Sequence, residues 1–425
     1  MKKIDLNVDV HHLTRIEGHG NIKIEVENGK IKEARWDVVE TPRFFEVMLK
    51  DKHYSSAGIL AARICGICSI SHCLASLLAT EQAFNVTVPE DAKKIRMIAK
   101  HGEMLQSHVL HLLFLVAPDF FEEPSVIPLV ERTPEVITIA RRLKLFGNRI
   151  CDAIAGRTTH PVSLQVGGVT AVPSKKELIG FKNELEQIIN DLHKVAALFA
   201  TLQLPDFVRE TEFVSLKGEN EYPAMGGNIV SSDGIECPDK EYKSMTNEYV
   251  DANNTSKWTK LSRESYAVGA LARFNNNYSL LHPEAVKVAD MFGLKPVCHN
   301  PFMNNVAQLV ESFHSAYEIM RLIDEVTSSK LKDTMADFKP TAGEGVGIVE
   351  APRGILFHNY KYDSNGRIEK ANCVVPSTQN NANIHYDMKS LVEKFAVKGM
   401  TDEKLELLSS MLVRSYDPCL SCSVH

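Results

Sequence analysis

The sequence lacks long apolar runs and long runs of charge of one sign. Its 425 residues include 48 Lys and Arg against 54 Asp and Glu, and the formal charge of −6 is spread along the chain. Nucleic-acid binding and direct membrane insertion are therefore not expected. The opening residues MKKIDLNVDVHH hold no apolar stretch of the kind that a secretory signal requires. We expect a globular, cytoplasmic protein.

Cysteine is scarce, and its number is odd, which excludes the fully paired disulfide framework of a small secreted protein. Four of the nine cysteines form two Cys-x-x-Cys pairs at opposite ends of the chain, and the other five are scattered singly. The nine are Cys65, Cys68, Cys73, Cys151, Cys237, Cys298, Cys373, Cys419 and Cys422.

The apolar pattern changes along the chain from a period of two to a helical period. Residues 21–40 alternate around Asn28-Gly29, a dipeptide typical of a tight hairpin turn. Three long helices are predicted from later apolar positions, and Ser174 with Glu177 has capping-box spacing before the second. The positions are Leu105, Val109, Leu112 and Val116; Leu178, Phe181, Leu185, Ile188 and Leu192; and Val306, Leu309, Phe313, Tyr317 and Met320.

The remaining segments read as loops and strands. Residues 205–280 are rich in Gly, Asn, Asp and Ser and predict loops with short strands, and residues 340–380 return to β-like segments. The predicted fold class is α+β, predominantly α, with an N-terminal antiparallel hairpin and small β appendages. We expect one domain over residues 1–425, β-rich in 1–55, mainly helical in 56–335 and mixed in 336–425.

Two distant Cys-x-x-Cys pairs offer four thiolates to one metal centre if they meet. A structural zinc site is one interpretation, although zinc ribbons close a shorter loop of about 15–20 residues. A thioredoxin-like redox motif is another, although neither pair stands at the strand-to-helix step of a βαβ unit.

The residues around the pairs carry a more specific signal. The first pair reads Arg63-Ile64-Cys65-Gly66-Ile67-Cys68, and the second reads Asp417-Pro418-Cys419-Leu420-Ser421-Cys422, followed by His425. These motifs resemble those of the large subunit of [NiFe]-hydrogenases. Four further runs fit the same family in the same order: Thr14-Arg15-Ile16-Glu17-Gly18-His19, His160-Pro161 with Gly167-Gly168-Val169, Glu350-Ala351-Pro352-Arg353-Gly354, and Val375-Pro376-Ser377-Thr378.

The resemblance implies a nickel–iron centre bound by Cys65, Cys68, Cys419 and Cys422. Cys68 and Cys422 would also bridge to an iron that carries one carbon monoxide and two cyanides. The activity implied is the reversible heterolytic cleavage of H2 to protons and electrons.

The family pattern also places polar side chains around this cofactor. Arg353, after Ala351 and Pro352, and Ser377, after Pro376, match the donors to the cyanides; a surface ion pair and a turn hydroxyl are the alternatives. His72 would donate a hydrogen bond to a bridging sulfur, and a core histidine is its alternative.

Proton transfer is assigned to Glu17, as the first relay from the Cys422 thiolate. The spacing of Thr14 and Glu17 also suits a helix cap, but Gly18 and the strand that follows make a helix here unexpected. Asp417 is expected near the metals, paired with Arg353, although it could equally form a turn.

Two other groups of residues have alternatives. Membrane-bound relatives have a second aspartate in a His-Asp-His stretch, where this chain has Gln106-Ser107-His108. A mechanism that needs that acid is in doubt, and the change points to the soluble cytoplasmic branch.

His101, His108 and His111 share one predicted helix and suggest zinc, but core or interface histidines are expected.

A second metal site is implied near the C-terminus. His425, Glu46 and the backbone carbonyl of Cys373 match the positions that bind Mg²⁺ or Fe²⁺ in the family. Family precursors carry an extension after the terminal histidine, so a sequence that stops there is expected to be either the mature form or one without an extension.

The resemblance implies partners as well. The scattered cysteines do not have iron–sulfur spacing, so a small subunit with [4Fe–4S] clusters is expected to take the electrons. A diaphorase or an electron-bifurcating flavoprotein would pass them to NAD(P), a deazaflavin, or ferredoxin and heterodisulfide. The rival functions are a metal-free, complex-I-like quinone-site subunit, a hydrogen-sensing regulatory member and a structural zinc protein.

Overall fold

The computed structural model describes residues 4–328 and 334–425, and helices make up most of its regular structure. A π-helical turn, His111–Val116, follows the fourth helix directly. The helices of the described part are α1 Phe45–Leu49, α2 Tyr54–Ala61, α3 Ser69–Ala83, α4 Glu90–Leu110, α5 Ala117–Phe120, α6 Leu129–Arg132, α7 Pro134–Ala155, α8 Lys175–Phe199, α9 Tyr242–Thr246, α10 Ala270–Asn277, α11 Pro283–Met291, α12 Asn304–Ser328, α13 Pro376–Phe395, α14 Asp402–Ser415 and α15 Leu420–Ser423.

The strands form small sheets. Antiparallel pairing gives the orders β1-β2-β3, β10-β11-β12 and β4-β5, and β6 pairs antiparallel with β7 and parallel with β9 in the order β8-β7-β6-β9. The strands are β1 Leu6–Val10, β2 Gly20–Glu27, β3 Lys30–Val38, β4 Leu164–Gln165, β5 Gly168–Val169, β6 Glu212–Leu216, β7 Ile229–Ser231, β8 Glu236–Cys237, β9 Tyr266–Ala267, β10 Gly343–Ala351, β11 Gly354–Tyr362 and β12 Ile368–Val374.

The predicted class, α+β with a helical majority, is confirmed. The hairpin at Asn28-Gly29 joins β2 to β3, and the three predicted long helices are α4, α8 and α12. The hydroxyl of Ser174 accepts a hydrogen bond from the Glu177 amide at 3.3 Å, as its capping-box spacing predicts. Residues 205–280 add α9 and α10 to the predicted loops and short strands. The single-domain boundaries stay a prediction.

The long helices pack on one another and form the centre of the molecule. α4 packs against α7 and α12, and α8 packs against α7 and α12. Their inward side chains are fully buried, for example Leu105 on α4, Leu185 on α8 and Leu309 on α12. Among the described residues, we find no helix that combines the length and the apolar character needed to cross a bilayer.

Helix α3 lies directly on strand β10. Three alternate glycines of β10 face it, and a Cβ built on each would come within 2.4 Å of a helix carbonyl oxygen. The glycine and carbonyl pairs are Gly343 with Ala83, Gly345 with Ala79, and Gly347 with Ala75. Only glycine allows this approach, which holds α3 against the β10-β11-β12 sheet.

The two ends of the described chain meet beside α3. Glu17 forms a parallel β-bridge with Cys419, and the amide of Leu420 donates to the Glu17 carbonyl at 2.8 Å. The amide of Arg43 donates to the carbonyl of Val424 at 2.8 Å. These bonds bring the second cysteine pair to the first.

Candidate metal centre

The sulfurs of Cys65, Cys68, Cys419 and Cys422 converge. All four residues are buried and their Sγ atoms lie within 4.8 Å of one another; the Sγ atoms of Cys65 and Cys419 are 3.6 Å apart. The two pairs, read from opposite ends of the sequence, therefore form one cluster.

The first pair is formed by a turn that leads into α3. Cys65 is extended, and its Sγ accepts hydrogen bonds from the amides of Ile67 at 3.3 Å and Cys68 at 3.4 Å. Cys68 stands at the N-cap of α3. Amide donors and a helix N-terminus both favour the thiolate form.

The second pair lies on a short turn at the other end of the chain. Asp417 has a left-handed φ of 49°, and Cys419 precedes the single turn α15. The amide of Cys419 donates to Ser377 Oγ at 2.8 Å. The Ser377 hydroxyl keeps its proton for another acceptor, as the predicted cyanide donor requires. Pro376 is the first residue of α13 and fixes the start of the helix that carries Ser377.

Four thiols in one buried cluster cannot all ionise without a cation. Hydrogen bonds from Cys419, Cys422 and Cys68 lower the pKa of Cys65 well below its usual value. Burial raises the pKa of Cys419 and of Cys422 well above theirs. A bound metal removes this conflict because thiolates deprotonate on coordination, and four soft sulfurs fit nickel.

Glu17 touches the cluster from the solvent side. Its Oε2 accepts from Cys419 Sγ at 3.1 Å and from the amide of Ser421 at 3.1 Å, and its Oε1 accepts from the Ser421 hydroxyl. The sequence expectation placed Glu17 beside Cys422, whereas the hydrogen bond in the structure comes from Cys419. The bridge between Glu17 and Cys419 puts the first cysteine of the pair, and not the second, against the carboxylate.

Arg353 and Asp417 form the buried ion pair that the sequence predicted. Arg353 Nη2 lies 2.8 Å from Asp417 Oδ1, and its Nε donates to the Asp417 carbonyl at 2.6 Å. Burial alone would lower the pKa of Arg353, but Asp417 and the nearby cysteine sulfurs raise it well above its usual value. Its Nη1 is buried and has no hydrogen-bond partner in the described part of the chain.

The turn before Arg353 is held by a residue that the sequence did not indicate. Arg273, fully buried, donates to the carbonyl of Ala351 at 2.9 Å and to that of Pro352 at 3.1 Å. Its other donors reach the carboxylates of Glu311 and Glu350. Ala351 and Pro352 thus present backbone to Arg273, which orients the next residue, Arg353.

His72 is held at one ring nitrogen by a second histidine. Its Nδ1 pairs with Nε2 of His358 at 3.1 Å. The expected hydrogen bond to a bridging sulfur would use the other nitrogen, Nε2, and stays a prediction. Burial lowers the pKa of His72 to about 4, so the ring is neutral at physiological pH. The buried imidazole of His358, which is on β11, thus orients the ring, and the sequence did not indicate this tertiary neighbour.

A second cluster matches the expected C-terminal metal site. A carboxylate oxygen of Glu46, the sulfur of Cys373 and a ring nitrogen of His425 lie within 4.8 Å of one another. His425 Nε2 lies 2.7 Å from the Cys373 carbonyl and 4.0 Å from Glu46 Oε1. The Glu46 carboxylate also accepts from the amide of Cys373 at 2.7 Å. Imidazole, carboxylate and carbonyl donors fit a hard divalent ion.

The three histidines of the α4 region are core residues and not a zinc site. Each is buried, and each ring contacts a side chain of α12. The pairs are His101 with Ser315 at 3.3 Å, His108 with Glu311 at 2.9 Å and His111 with Gln308 at 2.5 Å.

Arg43 joins the two cysteine segments, and sequence analysis missed its role. Its guanidinium donates to the carbonyl of Ile64, at 2.6 Å, and to that of Ser421. The first carbonyl precedes Cys65 and the second lies between Cys419 and Cys422. An arginine three residues before Glu46 was the available signal, but its partners depend on the tertiary fold.

Comparison with known proteins agrees with this geometry. The family model for nickel-dependent hydrogenase matches residues 43–138 and 236–425, and a model described as HoxL-like matches residues 7–41. The alpha subunit of sulfhydrogenase 2 from Pyrococcus furiosus is 31% identical over 98% of both chains. The beta subunit of the NAD-reducing hydrogenase HoxS from Cupriavidus necator is 28% identical over 97% of this chain and 93% of its own.

A solved structure gives the same result. The NAD+-reducing [NiFe]-hydrogenase in the H2-reduced state superposes with a TM-score of 0.90, at 27% identity and with 99% of each chain covered. The convergence of four cysteines and the family match exclude a structural zinc protein and a metal-free quinone-site subunit. The chain therefore belongs to the nickel-dependent hydrogenase family, as the catalytic large subunit of a [NiFe]-hydrogenase that cleaves H2 at a nickel–iron centre.

Proposed function

We propose that Glu17 takes the proton from H2 cleavage at the centre held by Cys65, Cys68, Cys419 and Cys422, and that Arg353 and Asp417 line its inner side. When bound, the metal pair supplies the redox and Lewis-acid chemistry that polarises H2. The observation that carries this proposal is the 3.1 Å contact between Glu17 Oε2 and Cys419 Sγ.

Glu17 is suited to pass protons in both directions. The residue is partly exposed, and its carboxylate contacts the Cys419 sulfur. A proton can move between donor and acceptor at this distance without a large conformational change. The hydroxyl and amide of Ser421 hold the carboxylate in place.

Arg353 and Ser377 are proposed to bind the two cyanides of the iron. The buried and unpaired Nη1 of Arg353 is costly unless an acceptor fills that position, and a cyanide nitrogen is such an acceptor. The free proton of the Ser377 hydroxyl offers the other donor. Cys68 and Cys422 would bridge the two metals, and Cys422 would share the catalytic site. The neutral His72 ring, which His358 orients, would donate a hydrogen bond to a bridging sulfur such as that of Cys68.

The second cluster is proposed to bind Mg²⁺ or Fe²⁺. Glu46 and His425 would be side-chain ligands, and the carbonyl of Cys373 the backbone ligand. Such an ion would fasten the segment after Cys422 to β12, because Cys373 belongs to that strand.

A small subunit with [4Fe–4S] clusters is proposed to bind over the first cysteine pair. Gly66 is exposed although Cys65 and Cys68 on either side of it are buried. The neighbouring helices expose apolar side chains, namely Phe44 (64%), Val47 (69%) and Ile59 (48%). An apolar surface beside an exposed cysteine turn is suited to a stable interface that accepts electrons.

The soluble acceptor module and the compartment are proposed from a relative and from the state of the cysteines. A diaphorase-type or bifurcating flavoprotein is proposed because the relative from Cupriavidus necator is named for the reduction of NAD. A cytoplasmic location is proposed because all nine cysteines are free, as a reducing compartment allows.

The proposal is tested on the purified complex with Glu17→Gln and the control Glu40→Gln, whose carboxylate binds the exposed His19. We expect Glu17→Gln to abolish hydrogen–deuterium exchange with H2 while nickel content and the infrared bands of iron-bound carbonyl and cyanide stay at wild-type levels. The control should retain exchange and dye reduction. Unchanged exchange in Glu17→Gln would refute the proton role, and nickel without carbonyl and cyanide bands would refute the cofactor.

A further inference from the structure

A buried carboxylate lies at the start of α3, next to the first cysteine pair. Glu103 is on α4, and 1% of its side chain is exposed. Its Oε1 accepts from the amide of Ile70 at 2.8 Å, and both oxygens accept from the amide of Ser71 at 3.1 Å. The Ser71 hydroxyl donates to Oε2 as well.

These bonds fasten the start of α3. The first amides of a helix have no partner within the helix, and the N-cap residue normally supplies one. Here the N-cap is Cys68, whose side chain makes no capping bond. The capping group is supplied instead by Glu103, from another helix, and Cys68 Sγ stays free for the metal cluster.

The negative charge of Glu103 is balanced within the core. Lys100 Nζ, one turn earlier on α4 and equally buried, lies 3.5 Å from Glu103 Oε2. The positive end of the α3 dipole lies against the same carboxylate. The pKa of Glu103 is raised by burial, and Lys100 and Ser71 offset only part of that rise.

We infer that Glu103 is a positioning residue of the metal centre: by capping α3 it fixes the Cys68 sulfur relative to Cys65, and its charge adds electron density to the cofactor. This inference rests on the four-cysteine centre but not on the proton role of Glu17. The chain offers a control on α3, the helix that Glu103 caps. Glu81, near the other end of α3, is also buried and pairs with Arg96 at 2.6 Å.

The test compares Glu103→Gln and Glu103→Ala with Glu81→Gln in the purified complex. Glutamine can still accept from both α3 amides but lacks the charge. We expect Glu103→Gln to keep most of its nickel and to shift the carbonyl infrared band to higher wavenumber, because less electron density reaches the iron. Glu103→Ala should lose most of its nickel. Glu81→Gln should lower the melting temperature and leave the band unmoved.

Two results would overturn the inference. One is a carbonyl band of Glu103→Gln at the wild-type position, together with a loss of melting temperature like that of Glu81→Gln. The other is full nickel content in Glu103→Ala. Since Glu103→Gln retains the shape of the side chain, it still tests the inference if the alanine variant does not fold. Glu103→Gln retains Glu17, so it should still exchange hydrogen for deuterium with H2. This measurement distinguishes a failure of the present inference from a failure of the proposed proton role of Glu17.

Discussion

The two cysteine pairs contribute equally to the cluster but are held by different parts of the chain. Cys65 and Cys68 are fixed from inside, where Glu103 caps α3 and the glycines of β10 lie against it. Cys419 and Cys422 are fixed from outside, by backbone bonds to the segment around Glu17.

The difference suggests a division of tasks between the pairs. On the inner side, Glu103 and Lys100 form an ion pair that is buried from water. Such a pair suits a fixed position of the Cys68 sulfur. The outer side has a partly exposed carboxylate on a sulfur, which suits the movement of protons. Variants on the two sides should therefore fail in different ways.

Breaking the connection between the pairs should have the largest effect. Arg43→Ala removes the guanidinium shared by the Ile64 and Ser421 carbonyls and leaves both unsatisfied. We expect the complex to lose most of its nickel and its dye reduction with H2. Nickel is measured by elemental analysis, with Arg35→Ala, whose partner is Asp37, as the control. Wild-type nickel in Arg43→Ala would contradict a shared anchor.

Separating α3 from its sheet should have a smaller effect, and we expect that effect mainly on the stability of the fold. Gly345→Ala places a methyl group 2.1 Å from the carbonyl oxygen of Ala79, and overpacking of this kind costs about 1–3 kcal/mol. We expect a lower melting temperature and a carbonyl band that shifts as the first pair moves. Gly180→Ala is the control, since its Cβ meets nothing within 4 Å. Equal melting temperatures in the two variants would contradict the close approach of α3 and β10.

The smallest effect is expected from the two serines that support the carboxylates. Ser421→Ala removes one hydrogen bond to Glu17, and Ser71→Ala removes one to Glu103. We expect Ser421→Ala to slow hydrogen–deuterium exchange roughly two- to tenfold, the effect of one lost hydrogen bond. Ser71→Ala should leave exchange unchanged. A slower exchange in Ser71→Ala would remove the distinction between inner and outer sides.

The sequence was sufficient for features that depend on local pattern. The hairpin at Asn28-Gly29 and the cap at Ser174 follow from residues close together in the chain. Motif resemblance was sufficient for the four cysteines and for the pairing of Arg353 with Asp417. At Glu17 it gave Cys422 as the neighbouring sulfur, whereas the structure shows a hydrogen bond from Cys419, three residues earlier in the same motif.

What sequence could not indicate is the support behind the motifs. Glu103 lies on a helix with ordinary amphipathic spacing, and nothing local distinguishes it from a surface glutamate. Arg273 reaches the turn of Ala351 and Pro352 across a large separation in sequence. Both are recognised only when burial and hydrogen-bond partners are known, because their roles depend on tertiary neighbours.

The three glycines of β10 have a consequence for motion along the axis of α3. Two residues of strand advance about 6.8 Å and four residues of helix about 6.0 Å, so the contacts at Gly343, Gly345 and Gly347 stay nearly in step with successive helix turns. The helix can consequently shift along the strand only by the full spacing between one glycine contact and the next. The sulfur of Cys68, at the start of α3, therefore cannot shift gradually. The four sulfurs keep their spacing as long as the contacts between α3 and the β10 glycines hold.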